Sequence, residues 1–183
     1  MSFVIEKTGL PEVVLIKPKL YNDNRGAFAE LYQKNKFFSL LKKKVEFVQE
    51  NISFSKKNVI RGIHFQIKKP QGKLIRVLNG RIFDVIVDLR KNSSSFGKWI
   101  GVHLSSESLE QIWIPPGFGH GFMSKTNNVI LSYYVTEYWK PKYERCIKWN
   151  DKDLNIKWPL TKNYKPIISN KDSKGLKFKD VKS

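Results

Sequence analysis

From residue 73 to residue 139 the chain is a succession of short β-prone runs, each separated from the next by a turn-forming cluster, and this spacing restricts the fold to a barrel or sandwich of strands. The runs are 73–78, 81–89, 99–104, 111–114, 120–124 and 129–139. Between them lie Asn79-Gly80, the serine run 93–95, Ser105-Ser106, Pro115-Pro116-Gly117 and Asn127-Asn128. Asn-Gly between two such runs predicts a hairpin, because both central positions of that turn take positive φ. Within 81–89, Phe83, Val85, Val87 and Leu89 share one face, while Ile82, Asp84, Ile86 and Asp88 share the other. Two carboxylates therefore sit among apolar residues on one side of a strand. One helix is expected over 35–44, where Phe37, Phe38, Leu40 and Leu41 form an apolar stripe, and a helical turn after Asn150. Beyond Trp158-Pro159 the sequence turns polar, and 174–183 is expected to be a flexible basic tail. With no internal repeat or linker, 183 residues are expected to form one domain, 1–183.

The charge needs an explanation. Thirty-four Lys and Arg against sixteen Asp and Glu give a formal net charge of +18. Most of the excess is Lys spread along the chain, and a lysine-rich surface is the first reading. A field of that sign also favours anionic ligands such as nucleotides and is a sign of a nucleic-acid binder. The clusters Lys42-Lys43-Lys44, Lys56-Lys57 and Lys68-Lys69 are short, however, and no helix-turn-helix, zinc finger or RNP-like motif accompanies them, so nucleic acid is not the expected partner. No apolar run reaches the length of a membrane span, and Met1 to Leu20 has no signal-peptide core. The single cysteine, Cys146, excludes an intrachain disulfide and a cysteine-based metal cluster. Together these features point to the cytoplasm.

Two of the three histidines lie in compact segments with turn chemistry and aromatic neighbours: Arg61-Gly62-Ile63-His64-Phe65-Gln66 and Pro115-Pro116-Gly117-Phe118-Gly119-His120-Gly121-Phe122. In an extended segment His64 and Gln66 share a face. Arg61 falls on the opposite parity unless Gly62 makes a bulge that re-aims it. The spacing Pro115-x-Gly117-x-x-His120 is similar to the second half of a metal-binding cupin motif. The first half would need His-x-His and a glutamate, whereas Gln66 follows His64 and no carboxylate occurs between Gln66 and Asp84. Two imidazoles alone make a poor divalent site, so no metal is expected. On the run from 129, Val129, Leu131, Tyr133, Val135 and Glu137 share one face and Tyr134 and Tyr138 the other; parity alone leaves open which face meets the site.

In order along the chain, Asp23-x-Arg25-Gly26, Gln49-Glu50-Asn51, 61–66, Gln71-Gly72-Lys73, Phe83-Asp84-Val85, 111–115, 117–122 and Trp158-Pro159 closely resemble the dTDP-4-dehydrorhamnose 3,5-epimerase family of nucleotide-sugar enzymes, from about Phe3 to Asp172. The resemblance implies an all-β, cupin-type jelly-roll with a few short helices, and an isomerase that uses no cofactor. It implies His64 as general base, Tyr133 as proton donor, Asp172 as the carboxylate behind the histidine and Lys73 as the cation near the sugar carbonyl. It places Arg61, His120, Gln49, Asn51, Glu144 and Lys171 in the substrate pocket. Arg25 and Glu30 would enter the site from the partner subunit of a homodimer.

The implied reaction is epimerisation of dTDP-4-keto-6-deoxyglucose at C3 and C5 to dTDP-4-keto-L-rhamnose, in deoxysugar and polysaccharide biosynthesis. Relatives that epimerise one position, or act on other nucleotide-linked 4-keto sugars, keep the His-Tyr pair. A non-catalytic basic cupin that binds nucleotides or nucleic acid is the reading from a different class. The chain departs from the family pattern in having Tyr133-Tyr134 where Tyr-Lys is common, Gln49-Glu50-Asn51 where Gln-Asp-Asn is commoner, and a short loop between Gln66 and Gln71. Cys146 has no role that the resemblance supplies; a small, partly buried residue is the expectation.

Overall fold

The structure is a computed structural model that describes residues 3–161 and 165–181. Thirteen strands among these residues follow in chain order. The first four are β1 (Phe3–Lys7), β2 (Val14–Pro18), β3 (Leu20–Asp23) and β4 (Gly26–Ala29). Helix α1 (Lys34–Leu41) precedes β5 (Gln49–Ser55), β6 (Ile60–Gln66), β7 (Lys73–Asn79) and β8 (Arg81–Asp88). Then come β9 (Trp99–Ser105), β10 (Gln111–Ile114), β11 (Phe118–Ser124), β12 (Val129–Val135) and β13 (Glu144–Cys146). A short helix α2 (Asn170–Ser173) and a 3-10 turn (Phe178–Asp180) follow. No helix among the described residues is long and apolar enough to cross a membrane.

Eleven of these strands form two antiparallel sheets packed face to face, in the orders β1-β2-β10-β7-β12-β5 and β13-β6-β11-β8-β9, and β3 and β4 form a separate ribbon. This is the jelly-roll that the resemblance implies, and it falls within the barrel or sandwich that the strand spacing predicts. Leu15, Ile75, Val77, Ile112, Ile114 and Leu131 of the first sheet meet Ile82, Ile86, Leu104, Phe118 and Phe122 of the second in the central core. Residues of this kind each contribute about 1.5–3 kcal/mol on full burial.

Asn79-Gly80 does not close a hairpin. β7 pairs with β10 and β12, whereas β8 pairs with β11 and β9, so the turn carries the chain from one sheet to the other. The apolar faces of the two strands are stacked through the core instead of paired edge to edge. Gly80 takes the positive φ of 84° that the turn needs, and a Cβ there would lie 2.4 Å from Thr126 Oγ1.

The inner strands β8 and β11 of the second sheet are buried on both faces. Phe83, Val85 and Val87 of β8, with Leu89 just beyond it, pack away from the central core, against Ile147, Leu154, Ile156, Trp158 and Val181 of the C-terminal third. This corrects the expected tail. Through residue 181 the segment is docked: Leu176 N–H donates to Cys146 O at 2.7 Å, and Val181 is buried. The polar appearance of the segment hides two apolar anchors, Phe178 and Val181, while Leu176 docks through its backbone with its side chain exposed. Residues 182–183 lie outside the described set.

Helix α1 is shorter than expected, because Lys42 turns into the left-handed conformation (φ 51°) and ends it. The expected strand 129–139 ends at Val135; beyond it Thr136 Oγ1 accepts from the Gly72 N–H at 2.8 Å and Gln71 Nε2 donates to Glu137 O. The turn expected after Asn150 forms as Asn155 N–H donates to Asp151 O at 2.9 Å.

The docked segment gives a direct test. A Cβ on Gly175 would lie 2.9 Å from Lys148 N and 3.0 Å from Cys146 O, both backbone atoms that cannot swing away. Gly175→Val is expected to cost about 1–3 kcal/mol by overpacking. It should speed amide exchange selectively across 170–181, read by hydrogen-exchange mass spectrometry alongside a thermal melt.

Candidate active site

β6 is the centre of the site. His64 lies opposite His120 of β11 on one side and opposite Cys146 of β13 on the other. Between His120↔His64 and Phe122↔Arg61 the register shifts, so β6 spends three steps where β11 spends two. The bulge that Gly62 permits is therefore present, with Gly62 at φ 101°. A side chain could not replace it: a Cβ would sit 2.5 Å from His120 O. The extra residue reverses the parity of Arg61, and both Arg61 and His64 line the same cavity of about 330 Å³. Arg61 is fixed there by Ser55 Oγ at 3.1 Å and Phe54 O at 2.9 Å.

Asp172 arrives from the C-terminal segment, where Ser169 Oγ caps α2 and accepts from the Asp172 N–H. Its Oδ1 is 2.8 Å from His64 Nε2, and its Oδ2 accepts from the Gly62 N–H at 3.1 Å. Burial pushes this carboxyl up, but the hydrogen bonds from His64, Gly62 and Ser169 hold it below the ordinary carboxylate value. An ionised Asp172 favours a proton on Nε2 and leaves the lone pair on Nδ1.

The opposite wall comes from the first sheet: Tyr133 of β12, its cross-strand partner Asn51 of β5, Gln49 and Lys73 of β7. Tyr133 is the face that parity left open; its neighbour Tyr134 points outward into a cluster with Tyr32 and Phe47. Burial, with Glu144 adding to it, raises the Tyr133 phenol and keeps it protonated at neutral pH. Burial brings the Lys73 ammonium down to about 8, although Glu144 and Asp84 oppose the fall. Its Nζ lies 3.4 Å from His64 O.

His120 is buried, and its Nε2 is 2.7 Å from Asp84 Oδ1. Burial lowers its imidazole below the usual value against the pull of Asp84. Sequence reasoning did not name Asp84 as a site residue, yet the signal was present: period 2 put this carboxylate among apolar residues of β8. Its Oδ2 has no hydrogen-bond partner among the described residues. Its companion Asp88 does different work, accepting from Arg90, Ser93 and Ser95 at the strand end.

Gln66 holds the mouth: its amide donates to Lys69 O, and its oxygen accepts from the Lys140 N–H at 2.7 Å. Glu144 and Lys171 line the rim as an ion pair. Ser53, Gln71 and Trp139 also line the cavity and were not expected as site residues, although Gln71 stands in a motif that carries the resemblance.

Arg25 and Glu30 are not brought to this cavity. Arg25 projects from the turn between β3 and β4, bonded only to Asp23 in the described contacts, and Glu30 pairs with Lys36 at 2.7 Å. The β3–β4 ribbon pairs with neither main sheet, and Leu20, Tyr21 and Phe28 on it are exposed.

A jelly-roll whose facing sheets present an imidazole–carboxylate pair and a phenol across one cavity belongs to the cupin-type enzymes that move protons. The comparisons narrow this class. Residues 7–180 match the family model described as dTDP-4-dehydrorhamnose 3,5-epimerase. The dTDP-4-dehydrorhamnose 3,5-epimerase of Pseudomonas aeruginosa is 44% identical over 175 residues, covering 96% of each chain. That of Methanothermobacter thermautotrophicus is 47% identical over 171 residues, 93% of this chain and 92% of its own. The crystal structure of dTDP-6-deoxy-D-glucose-3,5-epimerase from Legionella pneumophila, in complex with dTDP-4-keto-L-rhamnose, superposes with a TM-score of 0.94 at 40% identity, over 98% of this chain and 95% of that one. The chain belongs to the dTDP-4-dehydrorhamnose 3,5-epimerase family.

The electrostatics of the cavity can be tested without substrate. Asp84 favours the charged forms of both Lys73 and His120. Asp84→Asn should therefore lower both groups' pKa values further, Lys73 to below about 8. NMR titration of the labelled lysine and histidine side chains would read both shifts; an upward shift of either contradicts the arrangement.

Proposed function

We propose that this chain epimerises dTDP-4-keto-6-deoxyglucose at C3 and C5 to dTDP-4-keto-L-rhamnose, using only its own side chains. The observation that carries the reading is the placement of His64, backed by Asp172, on one sheet and of Tyr133 on the facing sheet. The C3 and C5 hydrogens are α to the C4 ketone, which makes them the ring C–H bonds a side-chain base can ionise. His64 takes the proton, and Asp172 stabilises the imidazolium that results. The enolate charge gathers on the C4 oxygen, where the Lys73 ammonium stabilises it most in the transition state. Inversion needs a proton from the other face of the ring, and Tyr133 delivers it from the opposite wall. The ketone is the electron sink, so the chemistry asks for no cofactor.

Arg61, His120, Gln49, Asn51, Glu144 and Lys171 bind the sugar and diphosphate, with the cations among them suited to phosphate oxygens. Arg25 and Glu30 complete the site of a partner subunit. The apolar side chains of the β3–β4 ribbon, and Ile52 and Phe54 exposed on edge strand β5, support a homodimer that covers them. The protein works as one domain in the cytoplasm.

Proton NMR of the substrate in deuterated water tests the reaction. The wild type should exchange and invert both C3 and C5, whereas inversion at one position alone would mark a monofunctional epimerase. His64→Ala should abolish exchange at both positions, and full epimerisation by that variant would refute its role as base. As pH rises through about 8 the rate should fall, because Lys73 loses the charge that stabilises the enolate.

Subunit complementation tests the shared site. Arg25→Ala and His64→Ala proteins, each inactive alone, should recover roughly a quarter of wild-type activity after random subunit exchange. No recovery in demonstrated mixed dimers would place Arg25 in its own subunit's site.

A further inference from the structure

The proposed mechanism gives no work to Cys146, yet the fold sets this residue against the base. Cys146 is the cross-strand partner of His64, so the two side chains lie on one face of the β13–β6 pair. Asp172 reaches the same point from the C-terminal segment. The thiol sulfur, an imidazole nitrogen of His64 and a carboxylate oxygen of Asp172 all lie within 4.8 Å of one another. Around tetrahedral Zn²⁺, with bonds of roughly 2.0–2.3 Å, such ligand atoms stand about 3.3–3.8 Å apart. The triangle is within a side-chain adjustment of that size. The donor set is also right for zinc in type and charge: a thiolate and a carboxylate neutralise the dication, and the imidazole completes three protein ligands with one position left for water.

The geometry points to a site for a thiophilic divalent cation, Zn²⁺ being the natural case, formed by Cys146, His64 and Asp172, whose occupation switches the enzyme off. The inhibitory half of this inference rests on the assignment of His64 as base; the binding half does not. On binding, the thiol loses its proton to solvent as the zinc–sulfur bond forms. Zinc takes the Nε2 position that the carboxylate now holds, and the Nε2 proton moves to Nδ1. No electron is transferred. The Nδ1 lone pair facing the substrate is thereby consumed, and Asp172 is diverted from the imidazole to the metal. The cation is an inhibitor in this arrangement and has no part in turnover.

Cobalt titration tests the site directly. The chain has one cysteine, so any thiolate-to-cobalt charge-transfer absorption reports Cys146 alone. Wild-type protein should develop that band with one equivalent of Co²⁺, and Zn²⁺ should displace it. Cys146→Ser and Cys146→Ala should lack the band, and His64→Ala should weaken the binding. Zn²⁺ should inhibit proton exchange by the wild type, reversibly with a chelator. Loss of the thiolate should raise the inhibitory concentration by at least the roughly 10–100-fold that loss of an outer hydrogen-bonding partner costs a metal site. Each variant is compared with its own zinc-free rate. Absence of the band in wild type, or equal zinc sensitivity in both cysteine variants, overturns the site. A band in a protein that never turns over the keto sugar would uphold the metal site and refute the epimerase reading instead.

Discussion

The 2.8 Å hydrogen bond between His64 Nε2 and Asp172 Oδ1 joins residues 108 positions apart, and the rest of the structure is arranged so that it can form. The cation next to Asp172 in sequence, Lys171, pairs with Glu144 instead. The Asp172 carboxylate is satisfied by His64 and by the backbone N–H of Gly62, a donor turned toward it where β6 bulges. The segment that carries Asp172 is pinned on both sides, by Ile167 beside Val59 and by Leu176 beside Ile147. The apolar outer face of β8 provides the ground for that docking. Burial of this second face therefore does more than add stability: it brings the carboxylate to the histidine.

The two-sheet architecture then solves a stereochemical demand. Epimerisation requires a proton to leave one face of a ring and another to arrive on the opposite face, and a jelly-roll has two walls. His64, Arg61 and His120 stand on one wall and Tyr133, Lys73 and Asn51 on the other. Burial keeps the Tyr133 phenol protonated and holds His120 toward its neutral form, but it works against the Lys73 ammonium, which it brings down to about 8. Asp84, buried and bonded to His120, limits how far the pKa values of Lys73 and His120 fall.

What could be read from the sequence divides along physical lines. Period 2 placed Tyr133 and Tyr134 on opposite faces, and the structure keeps them there, because strand parity is local. The same parity put Arg61 on the wrong side of His64 unless Gly62 supplied an extra step, and it does. Which strands pair is not local. Asn79-Gly80 has the composition of a hairpin turn, yet it bridges two sheets, because β10 and β12 occupy both sides of β7. The docked segment at 174–181 was hidden for a related reason: its anchors Phe178 and Val181 are isolated among lysines, and only the apolar face they cover explains them. Asp84 was visible as a carboxylate in apolar company, but its partner His120 lies on a different strand. Cys146 gave no signal until β13 was known to lie beside β6.

The central claim is that acid and base are separate groups on opposite walls, and the fate of solvent deuterium in Tyr133→Phe tests it most directly. With His64 and Asp172 intact, this variant should still exchange the C3 and C5 hydrogens of dTDP-4-keto-6-deoxyglucose for deuterium, returned by the same face with retention of configuration, while inversion is lost. Deuterium at those positions in unepimerised substrate, read by NMR, is the predicted result. Inversion at the wild-type rate would show that another group supplies the second proton and would contradict the account.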